Sequence, residues 1–275
     1  VSNLSFNGNA LSLDPSEDMT PTLCNPPTGA VEANCSSLTI SNLTGLEGGE
    51  VIFDYTLQLV DANGDPIKSD VSSATGVTRT VDSNGEVSVD VSGVTGPWNK
   101  AVVSNLTFNG DPLSLDPSED MTPTLCNPPT GAVEADCSNL TISNLTGLEG
   151  GDVSFDYTLQ LVDTESNVTD DDVFSATGVT RTVDSNGEVS VDVSGKTDDS
   201  WNKAVVSNLS FDGNALSLDP SEDMTPTLCN PPEINNIATS CDNIFIEANV
   251  AAEGDELAVD FVLDEIDETG GLVAS

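Results

Sequence analysis

The chain has 275 residues, of which 47 are Asp or Glu, six are Lys or Arg and none is His, so the formal net charge is −41 at pH 7. Binding to nucleic acids or to anionic membranes needs clustered cations. The cations are instead scattered singly along the sequence, as Lys68, Arg79, Lys100, Arg181, Lys196 and Lys203. The absence of His removes the commonest general base and metal ligand. The composition argues against a nucleic-acid-binding protein and against a typical hydrolase.

Hydrophobic residues make up 37% of the chain and aromatic residues 4%. Few aromatics with high charge are typical of disordered chains, but Val, Leu, Ile and Phe are frequent enough here to form a core. Two interpretations of the acidic surface are open: an ordinary acidic extracellular protein, or adaptation to molar salt, which screens self-repulsion within about 3 Å. We favour the second and expect structure to be lost at low salt.

Near-identical repeats are the strongest signal in the sequence. SLDPSEDMTPTLCNPP starts at residues 12, 114 and 217, and the segments 42–61 and 75–93 return at 144–163 and 177–195. A period near 100 residues matches a self-contained domain and is too long for a solenoid unit. The sequence therefore predicts a string of tandem domains.

The two ends of the sequence fall inside repeats. We expect residues 1–34 to be the C-terminal part of a repeat plus a hinge, 35–136 and 137–240 to be complete repeats, and 241–275 to be the N-terminal part of another. No signal peptide, initiator Met or membrane span is recognisable. This frame predicts either a segment of a longer chain or a subunit whose incomplete ends are completed by neighbours.

The hydrophobic pattern has a period of two, as in half-buried strands. Residues 50–61 alternate in this way, and so do 87–91, which follow Asn84-Gly85. Asn-Gly between two alternating runs predicts a tight hairpin. Further strands are predicted at 38–40, 102–108 and 113–115, and no amphipathic helix is present. The predicted fold is all-β, with tandem antiparallel Ig-like β-sandwich domains of about 102 residues per repeat.

The segments LVDANGDP (59–66) and TRTVDSNGEVSVDVSG (78–93) resemble the bacterial-type immunoglobulin-like modules of prokaryotic surface proteins and adhesins. The resemblance covers each repeat from about Leu38 to Phe108. It implies a structural or adhesive role without catalysis. Together with the acidity, it suggests a haloarchaeal surface, filament or tail-fibre protein.

Six cysteines form three doublets, Cys24 and Cys35, Cys126 and Cys137, Cys229 and Cys241. An even number in an apparently secreted chain indicates disulfides, and the spacing is not that of a zinc site. Pairing within each doublet would staple the Pro-Pro hinge, at about 3 kcal/mol per loop. Pairing Cys35 with Cys126 and Cys137 with Cys229 would instead join the ends of each domain and leave Cys24 and Cys241 over. We favour the doublets, because they leave no cysteine unpaired.

Two acidic motifs raise the question of calcium binding. Oxygen-bearing side chains alternate along Asp61–Asp65, but Pro66 and Ser72 stand where an EF-hand needs Gly and Glu. A hairpin turn is therefore favoured there, and a capped turn with solvated carboxylates at the DPSED motif. That motif contributes Asp14, Glu17 and Asp18, with copies at Asp116, Glu119, Asp120, Asp219, Glu222 and Asp223. No cofactor is predicted, and calcium is the alternative.

Eight Asn-x-Ser/Thr sequons are candidate sites for N-linked glycans: Asn3, Asn34, Asn42, Asn105, Asn139, Asn144, Asn167 and Asn208. Several would arise by chance in a chain rich in these residues. Four large aromatic side chains are predicted to pack in the core or between sheets: Tyr55, Trp98, Tyr157 and Trp201.

No nucleophile–base pair, phosphate loop or cofactor fingerprint is recognisable, and paired carboxylates are too frequent to nominate a catalytic dyad. We predict a non-enzymatic, structural component of an extracellular filament, stalk or fibre of a halophilic archaeon. Its expected partners are copies of itself, joined head to tail by strand addition. The alternative is an adhesin or archaeal-virus tail-fibre segment. A third hypothesis, a hydrolase using carboxylates alone, would show a cleft holding a carboxylate with a strongly raised pKa.

Overall fold

A computed structural model describes residues 5–6, 9–10, 25–231, 234–239, 244–248, 265–266 and 272–274. Within these ranges every regular element is a β-strand, which confirms the predicted all-β class, and no helix there is long and apolar enough to cross a membrane. The strands are β1 (Ser5–Phe6), β2 (Asn9–Ala10), β3 (Thr28–Ala33), β4 (Ser37–Ser41), β5 (Glu50–Val60), β6 (Pro66–Thr80), β7 (Val87–Asp90), β8 (Trp98–Phe108), β9 (Asp111–Pro112), β10 (Ser114–Leu115), β11 (Glu119–Cys126), β12 (Thr130–Ala135), β13 (Asn139–Ser143), β14 (Asp152–Val162), β15 (Val168–Thr182), β16 (Val189–Asp192), β17 (Trp201–Phe211), β18 (Asn214–Ala215), β19 (Ser217–Leu218), β20 (Glu222–Cys229), β21 (Ile234–Thr239), β22 (Ile244–Ala248), β23 (Glu265–Ile266) and β24 (Leu272–Ala274).

Two sandwiches of the same topology follow one another. In the first, a four-stranded sheet has the order β10-β3-β4-β7 and a five-stranded sheet the order β11-β8-β5-β6, with β9 beside β8. In the second, the corresponding sheets are β16-β13-β12-β19 and β15-β14-β17-β18, with β20 beside β17. All pairs are antiparallel except β10 with β3 and β19 with β12. This is an Ig-like sandwich, as predicted.

The core lies between the two sheets, where alternating side chains meet. Trp98 and Trp201 are among the largest fully buried side chains, which confirms their predicted packing role. Tyr157 is buried with its ring centroid 5.9 Å from that of Phe174, and Tyr55 packs half-buried against the first core. The four predicted aromatic residues are thus structural.

The turn at Asn84-Gly85 was predicted to close a tight hairpin, and that prediction is wrong. The flanking strands β6 and β7 pair with β5 and β4, which belong to different sheets. Gly85 has a φ of +76° and its carbonyl accepts a hydrogen bond from Leu43 N at 2.9 Å. A Cβ on Gly85 would lie 3.0 Å from Thr44 N. The turn is therefore a corner that carries the chain from one sheet to the other.

The predicted domain boundaries 34/35 and 136/137 also need correction. Strand β3 was predicted as hinge, yet it pairs with β4, and Val31 N donates to Pro117 O at 3.0 Å. The sandwiches therefore occupy 28–126 and 130–229. Strand β1 pairs antiparallel with β2, as β17 does with β18. Strand β21 pairs antiparallel with β22, as β12 does with β13.

One disulfide closes each sandwich, and the favoured doublet pairing is wrong. Cys35 is bonded to Cys126 and Cys137 to Cys229, with Cα–Cα distances of 5.1 and 5.2 Å. The six-residue strand β12 lies between Cys126 and Cys137 and separates them by about 20 Å, whereas a disulfide spans less than about 7 Å. Cys24 and Cys241 lie outside the described residues.

Candidate functional site

The junction between the two sandwiches is built from apolar side chains. Only residues 127–129 connect β11 to β12. Leu59 and Leu125 belong to the first sandwich, yet both are buried in the hydrophobic core cluster of the second. Half-buried Ile67 and Val71 pack against the same cluster. The second core thus extends across the domain boundary.

Two glycines of the second sandwich, Gly147 and Gly151, lie against side chains of the first. A Cβ on Gly147, which has a φ of +93°, would lie 2.5 Å from the Pro97 ring. A Cβ on Gly151 would lie 2.5 Å from Phe211 Cε2 of its own sandwich and 3.0 Å from Ile67 Cδ1 of the first. The equivalent of Gly147 in the first sandwich, Gly45, would meet nothing within 4 Å. The absence of a Cβ at Gly147 therefore lets the Pro97 ring lie against it, a contact that Gly45 does not make.

A hydrogen bond between the backbone of one sandwich and a side chain of the other helps to orient them. The backbone N–H of Leu125 donates to Asn214 Oδ1 at 3.1 Å. Asn214 lies in β18 of the second sandwich, and Asp111 occupies the corresponding position of the first. A directional bond added to apolar contacts restricts rotation of one sandwich against the other.

A groove of about 220 Å³ at the junction is lined by three carboxylates, from Asp61, Asp152 and Asp212. Partial burial raises the pKa of Asp212, and the charge of Asp61 raises it further, while a hydrogen bond from the Ala62 amide offsets part of the rise. Hydrogen bonding by the Asp65 amide lowers the pKa of Asp61, which therefore stays ionised. The groove concentrates negative charge between the domains.

Replacing Asp212 by Asn is expected to stabilise the protein at neutral pH. The folded state raises this pKa above its ordinary value of 3.8, so it binds the proton more tightly than the unfolded state, and stability falls as pH rises from about 4 through the raised value. D212N keeps the oxygen acceptor and should raise Tm by about 1–2 °C at pH 7. Thermal unfolding at pH 7 and pH 3.5 tests this, because the gain should vanish at pH 3.5. An equal gain at both pH values would contradict the electrostatic cause.

The junction residues were missed by sequence reasoning, although the two repeats differ at several of them. Where the first repeat has Ala62, Ile67 and Pro97, the second has Thr164, Thr169 and Ser200. In repeats that are otherwise nearly identical, such differences mark positions with different surroundings. Leu125 is 6% exposed and its counterpart Leu228 is 39% exposed.

The Asp61–Asp65 segment forms the turn between the paired strands β5 and β6, as its favoured interpretation predicted. Asp61 Oδ1 accepts the backbone amides of Asn63 and Asp65, both at 2.9 Å. The Asp61 carboxylate therefore binds backbone amides of its own turn. Among the residues that the structure describes, no group of three His, Cys, Asp or Glu side chains is arranged to hold a metal ion. Calcium binding stays an alternative prediction.

The DPSED motifs form the expected turn, a bend between two strands in which Asp116 and Glu119 are exposed, and they also fasten strands together. Asp120 Oδ2 accepts the backbone amide of Ala33 at 2.8 Å, and Glu119 forms an ion pair with Lys100 at 3.0 Å. The second copy repeats both contacts: Asp223 with Ala135 at 2.8 Å and Glu222 with Lys203 at 2.8 Å. The first copy, with Asp14, Glu17 and Asp18, lies outside the described residues. In both sandwiches the motif ties the last strand to its neighbours.

A carboxylate clamp that the sequence did not reveal joins three strands of the five-stranded sheet. Asp54 on β5 accepts the Gly76 amide of β6 at 2.7 Å and the side-chain amide of Asn105 on β8 at 2.6 Å. Both hydrogen bonds lower the pKa of Asp54, and the one from Asn105 has the larger effect. Asp156 makes the same contacts in the second sandwich. The clamp pins irregular positions of the three strands in register.

Comparison with known proteins yields solved structures only, since no protein-family model and no curated protein matches the sequence. Native alpha-2-macroglobulin from Escherichia coli, spanning domains NIE-MG1, is 8% identical over 68% of this chain and 95% of that one, with a TM-score of 0.24. The FN1–FN3 domains of chicken CNTN1 are 14% identical over 74% and 69%, with a TM-score of 0.21. A Ca2+-stabilized adhesin that helps an Antarctic bacterium to bind ice is 18% identical over 70% of this chain and 50% of that one, with a TM-score of 0.18. The assignment to the Ig-like class therefore rests on the sheet order described above.

Proposed function

We propose that this chain is a structural component of an extracellular filament, stalk or fibre, in which Ig-like domains are joined stiffly in tandem. The observation that carries the proposal is the junction, where Leu59 and Leu125 of one sandwich are buried in the core of the next. Flexibly linked domains keep their cores separate and are joined by exposed, polar linkers. A shared core and a three-residue connection favour a stiff array.

An oxidising, extracellular location is supported by the cysteines. Each of the two disulfides of the described region lies within its own sandwich and joins segments distant in sequence. Such bonds persist in secreted and surface proteins and are rare in reducing compartments. We propose the cell or virion surface as the location.

Copies of the same chain are the proposed partners. Strands β6 and β15 each run for 15 residues at the edge of a five-stranded sheet, with mostly exposed side chains. A long edge strand offers unpaired backbone groups to another strand. Addition of a strand from a neighbouring subunit is the mode of assembly that this edge supports.

Immunogold labelling of the producing cells, with antibodies against the repeat, tests the proposed role. We expect label at intervals along surface filaments or stalks, and a purified filament fraction that contains the chain. Label confined to filament tips or to virion tails would favour the alternative, an adhesin or tail-fibre segment. Label inside cells would overturn both.

Adaptation to high salt is part of the proposal, because the net charge of −41 repels itself unless screened. In the described region two ion pairs are formed, by Lys100 and Lys203. We expect Tm to rise by at least 10 °C between 0.05 and 2 M NaCl, with unfolding or partial unfolding at the lower end. Circular dichroism melts measure this, and glycerol at matched water activity is the control. A Tm independent of NaCl would contradict halophilic adaptation.

A further inference from the structure

We propose that the chain carries N-linked glycans at a subset of its sequons. The sequons of this subset lie at the two ends of β4 and β13, the second strand of each sandwich. The acceptors are Asn34, Asn42, Asn139 and Asn144. The sequons at Asn105, Asn167 and Asn208 stay unmodified, although all seven side chains are exposed. The inference rests on the proposed extracellular role, because glycan transfer accompanies export.

The reaction requires a free side-chain amide and a lipid-phosphate-linked oligosaccharide as donor. A bond forms between Asn Nδ2 and the anomeric carbon of the sugar, and the bond from that carbon to the phosphate oxygen breaks. The lipid phosphate leaves with the bonding electron pair, and Nδ2 loses one proton. Because the glycan is bulky, we expect competing hydrogen bonds at Nδ2 and the space around it to determine which sequons react.

In Asn105 and Asn208, one hydrogen of the side-chain amide nitrogen is bonded to a carboxylate. Asn105 Nδ2 donates to Asp54 Oδ2 at 2.6 Å, and Asn208 Nδ2 donates to Asp156 Oδ2 at 2.7 Å. Hydrogen bonds to a carboxylate are roughly twice as strong as neutral ones. These nitrogens also belong to the clamp that ties three strands, and Asn105 has a φ of +53° within β8. Modification would require the clamp to open.

Asn167 is held within its own loop. Its Nδ2 lies 3.3 and 3.0 Å from the two carboxylate oxygens of Asp163, and its backbone amide donates to Asp163 Oδ1 at 2.8 Å. The side chain thus closes the turn between β14 and β15. A glycan on this nitrogen would disrupt the turn.

In Asn34 the side-chain oxygen, and not the nitrogen, forms the hydrogen bonds. Its Oδ1 accepts the backbone amides of Ser36 and Ser37 at 2.9 and 3.0 Å, so the carbonyl side faces the turn and Nδ2 faces outward. In the second sandwich Asp136 takes over this capping role, at 2.7 Å to both amides, and the sequon stands at Asn139. Each repeat therefore has one acceptor at the start of its second strand, Asn34 in the turn before β4 and Asn139 as the first residue of β13.

Asn42 and Asn144 follow β4 and β13 directly. Both are exposed, have a φ of +63° and leave Nδ2 without a hydrogen bond among the described residues. Asn tolerates this left-handed conformation better than other non-glycine residues. Together with Asn34 and Asn139, they mark the two ends of the second strand, whereas Asn105 and Asn208 lie in the five-stranded sheet. The strand edge proposed for assembly thus stays free of glycan.

Glycopeptide mass spectrometry of the chain purified from its producing cells tests the proposal. Peptides from the two repeats are distinguishable, because Glu50 and Ile52 in one are Asp152 and Ser154 in the other. We expect sugar on peptides with Asn34, Asn42, Asn139 or Asn144, and bare peptides with Asn105, Asn167 or Asn208. Sugar on any of the last three, or a bare chain on the cell surface, would overturn the proposal. A bare chain found inside cells would overturn the proposed function instead.

Matched variants test the cause. N42Q should lose one glycan mass, whereas N105Q should leave the glycan mass unchanged. D54A frees the amide of Asn105 and should create glycan there that the wild-type chain lacks. A folded D54A protein with no sugar at Asn105 would show that the carboxylate does not decide site use and would overturn the argument.

Discussion

Replacing Cys35 and Cys126 together by Ala is expected to lower the free energy of unfolding of the first sandwich by about 4 kcal/mol. The disulfide closes a loop with a sequence separation of 91, and a loop of this length restricts the unfolded chain strongly. Urea unfolding followed by Trp fluorescence measures the loss. Each sandwich has one buried Trp, so a Trp201→Phe background leaves Trp98 to report on the first sandwich alone.

The double variant C137A/C229A is the matched control, with a sequence separation of 92. It should destabilise the second sandwich by a similar amount. A loss below about 1 kcal/mol in either sandwich would contradict the assigned role of the disulfides. Non-reducing peptide mapping checks the pairing independently, since a peptide joining Cys24 to Cys35 would contradict it.

Replacing Leu125 by Ala is expected to loosen the junction and to cost about 2–3 kcal/mol, as for other buried Leu residues. Leu125 is 6% exposed and packs in the core cluster of the second sandwich. Truncation leaves its backbone bond to Asn214 intact and removes only the apolar contact. Spin labels on the two sandwiches, measured by pulsed electron resonance, should show a broader distance distribution than in the wild-type chain.

The control for this variant is Leu228→Ala, at the same position of the second repeat. Leu228 is 39% exposed, so its truncation should change stability by less than about 0.5 kcal/mol. It should also leave the distance distribution unchanged. Equal effects of the two substitutions would mean that Leu125 acts within its own sandwich and that the junction is not stiffened by it.

The sequence predicted the fold class because alternation is strong in the long central strands, such as 50–61, and because Trp and Val occur where cores need them. Strand β3 was missed because its six residues include Gly and two Ala, which give a weak hydrophobic signal beside a Pro-Pro hinge. The doublet pairing was favoured because it left no cysteine unpaired, and the missed strand β3 is what places Cys35 beside Cys126 at the end of β11.

The junction and the carboxylate clamp were not predicted from the sequence. Leu59 ends an alternating strand and looks like any core residue, because periodicity does not tell which domain covers it. Asp54 is one of 47 acidic residues in the chain, and only the fold brings Gly76 and Asn105 to it. The differences between repeats at Ile67 and Pro97 were the available clue to the junction.

The disulfides also determine how a pulling force would travel along the chain. Tension entering at β3 reaches Cys35, crosses the sulfur bridge to Cys126 and leaves through residues 127–129 into the next sandwich. The intervening segment, with a sequence separation of 91, would otherwise release about 300 Å of slack on unravelling. The bridge keeps it outside the path of the force. In an array of such domains, only the segments outside the disulfide loops, which include β3 and β12, therefore lie in the path of the force, and the rest of each sandwich is held by a covalent bond.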